Sequence, residues 1–317
     1  MKTLHVEEPG LLTTVQDQGR YGYQDKGVPV SGAMDRAALK LGNVLVGNIP
    51  DAAALEISVG GFQARFFTRT FFAVTGFNPQ VFLNEHPVPS WTSHLAEAGD
   101  VLRVESKGCG IWHYVCLAGG IDVPLVLGSR STYLRGRFGG LEGRALRQGD
   151  VLATNSPQYP PVLRIPEFLR PPYQEHPTIR VVLGPQEDAF LPPSIDLFFS
   201  ASYQVTPRSD RMGMMLEGPR LQHRHTADII SEGLAHGAIQ VPGEGLPFVL
   251  LADRPTTGGY AKIATVFSGD LPLLVQTAPG RSIRFQSISI WEARELYLKN
   301  AYVFRRFLER CLGQRES

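Results

Sequence analysis

The apolar stretches of this chain are short, and a glycine or proline closes nearly every one of them. Gly occurs 33 times and Pro 24 times in 317 residues, between runs rich in Val, Ile, Leu and Phe. Glycine supplies the positive φ that tight turns need, and proline removes a backbone donor and ends a helix. Long helices are therefore rare, and many short strands must be joined by tight turns. The expectation is a mainly β protein with few helices, long enough for two domains.

Composition narrows the function classes. A hydrophobic content of 43% and a charged content of 19% describe a packed globular chain. The net charge of +1 offers no field for nucleic acid or an anionic membrane. Met1–Gly10 shows no apolar signal region, and no run nears the ~18 residues of a membrane span. Cys109, Cys116 and Cys311 lack the spacing of a disulfide framework or zinc knuckle, so a reducing, cytoplasmic setting is expected.

Four segments follow from the pattern: an N-terminal β-rich half (1–156), a Pro-rich connector (157–177), a barrel half (178–290) and a C-terminal helix (291–317). Asp35 is placed to cap a helix carrying Ala38, Leu41, Gly42 and Leu45 on one face, with Gly47-Asn48 as its stop. Ser289 through Glu292 reads as a capping box for the last helix, with Leu296, Ala301, Phe304 and Leu308 as its buried stripe. The passages Ala98–Leu102 and Gln148–Leu152 echo each other as Gly-Asp turns entering strands.

Two polar concentrations interrupt this scaffold. One lies in Tyr203–Lys262, where Ser209–Gly213, Ile239–Pro242 and Thr256–Lys262 set hydroxyls, an amide and charges between buried runs. Gly258-Gly259 would equally serve a hairpin turn, and Asp210-Arg211 a surface ion pair. The other lies in Ala118–Arg147, where Arg130, Arg135, Arg137, Arg144 and Arg147 sit among glycines. Such a segment suits a carboxylate or phosphate, or is a solvated loop. No phosphate-binding Gly-rich loop, dinucleotide fingerprint or nucleophile elbow occurs. His223 and His225 share a strand face, but no third ligand is evident, so no metal site is expected.

The ordered motifs Thr14–Arg20, Ser31–Asp35, Leu45–Asn48, Ala118–Pro124, Gly128–Thr132, Gly139–Arg144, Ser209–Gly213, Gln240–Pro242 and Thr256–Tyr260 resemble the KipA family, the C subunits of 5-oxoprolinases. That family is also called allophanate hydrolase subunit 2 and is related to the carboxyltransferase region of urea carboxylases. The resemblance implies a cyclophilin-like β-barrel beside a second β-rich half. It implies a chain that works with a KipI-type and a LamB/YcsF-type partner to open 5-oxoproline to glutamate with ATP. Two alternatives come with it: biotin-dependent carboxyl transfer to an amide or urea nitrogen, and a non-catalytic antagonist that binds a KipI-type partner. Where the family usually has Tyr-Arg after Asp-Arg-Met-Gly, this chain has Met214-Met215.

On this reading Arg130 and Arg211 hold a substrate carboxylate or oxyanion, with Arg20 and Ser129 nearby. Thr256, Thr257 and Tyr260 present hydroxyls, Gln240 orients the amide, and Asp210 acts as base or fixes Arg211. Lys262 is expected to contact phosphate or carboxyl.

Overall fold

A computed structural model describes residues 1–108, 110–156 and 164–312. Cys109 and the first part of the expected connector, residues 157–163, lie outside the described residues, as do residues 313–317 of the expected C-terminal helix. The chain divides into two compact units, Met1–Tyr21, Ser31–Pro171 and Phe307–Ser317 in the first and Gly22–Val30 and Pro172–Arg306 in the second. Among the described residues no helix is long and apolar enough to cross a membrane.

The first unit stacks two antiparallel sheets. A six-stranded sheet runs in the order Val151–Ala153, Lys2–Pro9, Phe62–Phe66, Val101–Ser106, Pro79–Leu83, His86–Val88. A five-stranded sheet runs Leu12–Gln16, Ala54–Ser58, Trp112–Leu117, Thr70–Gly76, Ser93–Ala96. Alternate residues of both, including Leu4, Val6, Leu55, Ile57, Phe62, Phe66, Val74 and Val115, fill one core. Strand Lys2–Pro9 was not expected from sequence, where its mixed polar text shows no run. In the sheet, Thr3 and Val6 are buried while Lys2 and Glu8 face out.

Helix α1 (Arg36–Leu45) lies on the five-stranded sheet. Asp35 caps it, its carboxylate accepting from Ala38 N at 2.9 Å. A methyl group at Gly42 would sit 2.7 Å from Cys116 Sγ, so glycine lets helix and sheet approach closely. Tyr114 reaches up from the sheet, donating to Glu56 and accepting from Asp35 N, both at 2.7 Å. The two Gly-Asp turns are built alike. Asp100 accepts from Glu97 N and Asp150 from Arg147 N, the same local bond made twice.

The second unit is a closed seven-strand barrel, as expected, ordered Thr178–Leu183, Lys262–Val266, Ala238–Gln240, Phe248–Leu250, Gly213–Glu217, Tyr203–Val205, Ser282–Ser287. It closes through the parallel pairing of Thr178–Leu183 with Ser282–Ser287. Helix α2 (Pro192–Ser200) plugs it with Phe198, stacked on Phe285 at 4.5 Å. Burying such a ring is worth about 3–5 kcal/mol against alanine. Helix α3 (Leu271–Val275) is a short buried turn, and helix α4 (Ile290–Leu312) starts at the expected capping box. On α4 the expected stripe is only half realised. Leu296, Phe304 and Leu308 are partly covered, but Ala301 is exposed.

Candidate functional site

Beside the barrel lies a separate ribbon, Asp228–Gly233 paired with Thr257–Tyr260. A bulge opposite Gly259 pushes Ile230 almost wholly into solvent, 95% exposed. Gly258-Gly259 is therefore not a hairpin turn, and neither glycine has a positive φ. Its demand is spatial. A methyl group on Gly258 would lie 2.8 Å from Leu234 and 2.9 Å from Gln240 Nε2.

That close approach gathers a polar group at the start of strand Lys262–Val266. Gln240, nearly buried, donates its amide to Tyr260 O at 3.2 Å. Lys262 is also nearly buried and forms an ion pair with Glu232. Gln186 donates to the same carboxylate at 2.9 Å and accepts from Lys262 N at 3.3 Å. The Lys262 ammonium first, then the Gln186 amide, hold the Glu232 carboxyl below its usual range. Thr256 carries the ribbon through its carbonyl, which accepts from Leu234 N at 3.0 Å, and Thr257 faces solvent.

Next to this group a polar cleft of about 810 Å³ opens. Arg220, His223, His225, Asp228 and Tyr260 line it, with the Gly243–Gly245 loop as one wall. Tyr260, an expected site residue, projects here. His223 was set aside at the sequence level for want of a third metal ligand. His223 nevertheless lines this cleft. Its i, i+2 spacing with His225 signalled a shared face, without naming what the face was for.

Arg211 and Asp210 do not join that group. Arg211 is 5% exposed and clasps Asp253 through Nε–Oδ2 at 2.9 Å and Nη2–Oδ1 at 3.2 Å. Asp210 ties its own turn, accepting from Met212 N at 2.7 Å and Gly213 N at 3.2 Å. Gln240 pairs with Phe248, whereas Asp253 N donates to Arg211 O five residues further along the same stretch. Tyr260 lines the cleft, and the residues that line it include neither Arg211 nor Gln240.

In the first unit the other expected residues surround Asp17. Its carboxylate accepts from Ser129 Oγ at 2.7 Å, Arg130 N at 2.6 Å, Gly19 N at 2.8 Å and the Ser131 hydroxyl. Arg20 is buried over the Phe138 ring at 4.8 Å and donates to Ser131 O. Arg130 donates Nε to Val123 O at 2.9 Å. Arg20, Ser129 and Arg130 thus order the glycine-rich segment from within. Arg135, Arg137 and Arg147 are exposed at its surface.

This pairing of a two-sheet unit with a seven-strand barrel has close counterparts among solved structures. Urea amidolyase from Kluyveromyces lactis matches 97% of the chain with a TM-score of 0.91 and 32% identity, and the chain spans 20% of that protein. Urea carboxylase from the same yeast matches 98% at the same TM-score, where the chain spans 30%. The class so defined is the carboxyltransferase module of such enzymes. The chain belongs to the carboxyltransferase domain family, subdomains A and B, whose model matches residues 26–287. Among relatives of its own length, the C subunit of 5-oxoprolinase from Haemophilus influenzae is 36% identical over 90% of this chain and 92% of that one. The corresponding C subunit from Escherichia coli is 38% identical over 92% and 93%.

Proposed function

We propose that this chain is the C subunit of a 5-oxoprolinase, opening the lactam of 5-oxoproline to glutamate in an ATP-consuming complex. The observation that carries this reading is similarity over at least 90% of both chains, at 36% and 38% identity, to two proteins of that name. The partners are a KipI-type and a LamB/YcsF-type chain, and the complex is cytoplasmic.

A lactam resists water because resonance spreads its nitrogen lone pair onto oxygen, so opening it requires charge stabilisation at that oxygen. In the barrel unit Gln240 and the Lys262–Glu232 pair hold the Tyr260 strand in register. Tyr260 then offers its phenol to the ligand from a fixed backbone. ATP does not fit this group: the Lys262 charge is already met by Glu232, and Asp228 and Glu244 line the adjoining cleft. The nucleotide is accordingly assigned to the complex and not to these residues.

The test is ATP-dependent release of glutamate from 5-oxoproline by the three co-expressed chains. No release above that of the two partners alone would refute the reading. A second reading, biotin-dependent carboxyl transfer to an amide or urea nitrogen, is favoured by the TM-score of 0.91 to urea amidolyase. It predicts carboxylated product only when a biotinyl carrier is supplied.

A further inference from the structure

We infer that the cleft between Tyr260 and the Gly243–Gly245 loop binds a small cyclic amide acid through three contacts: Arg220 to the carboxylate, the Tyr260 phenol to the amide oxygen, and His223 Nδ1 to the amide N–H. The choice of 5-oxoproline as ligand rests on the function proposed above; the chemical class rests on the cleft.

His223 supplies the decisive polarity. Its Nε2 lies 3.0 Å from Val241 O. A carbonyl only accepts, so the proton resides on Nε2 and Nδ1 of the neutral ring is left as an acceptor. Among the described residues nothing donates to Nδ1. The ring packs against Phe190 at 4.8 Å between centroids, which fixes its direction. An immobile acceptor lining a cleft is suited to a ligand N–H.

Arg220 supplies charge. One arm of its guanidinium donates to Glu244 O at 2.8 Å, which holds the fork at the cleft wall, and no other arm bonds within the described residues. Tyr260 is 42% exposed while its backbone is pinned by Gln240 and by pairing with Asp228. Asp228 and Glu244 set the limit on the ligand's charge. Both line the cleft along with Arg220, so a polyphosphate is repelled, and the one guanidinium can meet a single carboxylate. A neutral lactam keeps the Tyr260 and His223 contacts, whereas an N-methylated lactam acid keeps those of Arg220 and Tyr260 and loses the one to His223.

The experiment uses the full chain with nitrogen-15-labelled histidine, following the His223 Nδ1 resonance by NMR while adding 5-oxoproline, its N-methyl derivative or 2-pyrrolidinone. Expected are a saturable Nδ1 shift with 5-oxoproline and 2-pyrrolidinone, and none with the N-methyl compound. Arg220→Gln should weaken 5-oxoproline about tenfold and leave 2-pyrrolidinone unchanged, the scale of one hydrogen bond to a charged group. Equal shifts with the N-methyl compound, or no shift with any of the three, would overturn the inference, and neither result depends on a variant. Glutamate release by a complex whose cleft shows no response would sink the cleft assignment and leave the proposed function standing. A responsive cleft in a complex that releases no glutamate would do the reverse.

Discussion

Replacing Arg211 by alanine separates two roles for that residue. A guanidinium that clamps substrate can be removed without harm to the fold. Here Arg211 and Asp253 are 5% and 7% exposed and joined by two bonds of 2.9 and 3.2 Å. Removing one partner strands the other charge away from water, at a cost of about 3–5 kcal/mol. For a unit of this size each kcal/mol is worth about 2–4 °C, so the barrel should melt about 6–20 °C lower. Differential scanning calorimetry of wild type and Arg211→Ala reads this directly. A double replacement, Arg211→Met with Asp253→Leu, removes both charges and should recover most of the loss, because apolar substitutes of similar volume often match a buried pair. An Arg211→Ala variant with an unchanged melting temperature and abolished turnover would refute this reasoning and restore a catalytic role.

Further outcomes follow from single side chains. His113 is fully buried with no partner on either ring nitrogen, and burial pushes its imidazole down to about 4 from the usual 6.5. Above pH 6.5 neither state is charged; as pH falls from there to 4 the unfolded chain binds a proton that the folded one refuses. Urea unfolding should therefore show about 3 kcal/mol lost across that window, levelling off below it, and His113→Leu should remove this component. Parallel curves would contradict it. Gly258→Ala should keep the fold at a cost of about 1–3 kcal/mol yet displace Gln240, lowering turnover of the assembled complex; unchanged turnover would remove Gln240 from the site. Asp17→Ala should cost about 3 kcal/mol or more by orphaning several donors, and should expose the arginines between 130 and 147 to trypsin. Equal trypsin resistance would argue against the Asp17 hub.

What the sequence disclosed was local. The Asp35 cap and the Ser289–Glu292 box are completed within three residues, so residue types at fixed spacing specify them. Strand runs such as Pro79–Leu83 and Trp112–Leu117 read directly as apolar or β-branched text. The barrel emerged from turn density and from family resemblance. Partners distant along the chain stayed hidden. Arg211 looked available because Asp253 lies 42 residues away, and Gly258 looked like a turn because Gln240 and Leu234 come near it only in three dimensions. The spacing of His223 and His225 suggests ligand counting, although the His223 ring is held by a carbonyl 18 residues on.

The Asp17 cluster has a consequence for the order of folding. Its carboxylate meets hydroxyls 112 and 114 positions later, and closing so long a segment gains nothing until the sheets have brought its ends together. On the ribosome, residues 14–20 must wait for more than a hundred successors to emerge before that corner can set. The arginine–glycine segment can then take its fixed shape only after the sheets that carry residues 14–20 have begun to form.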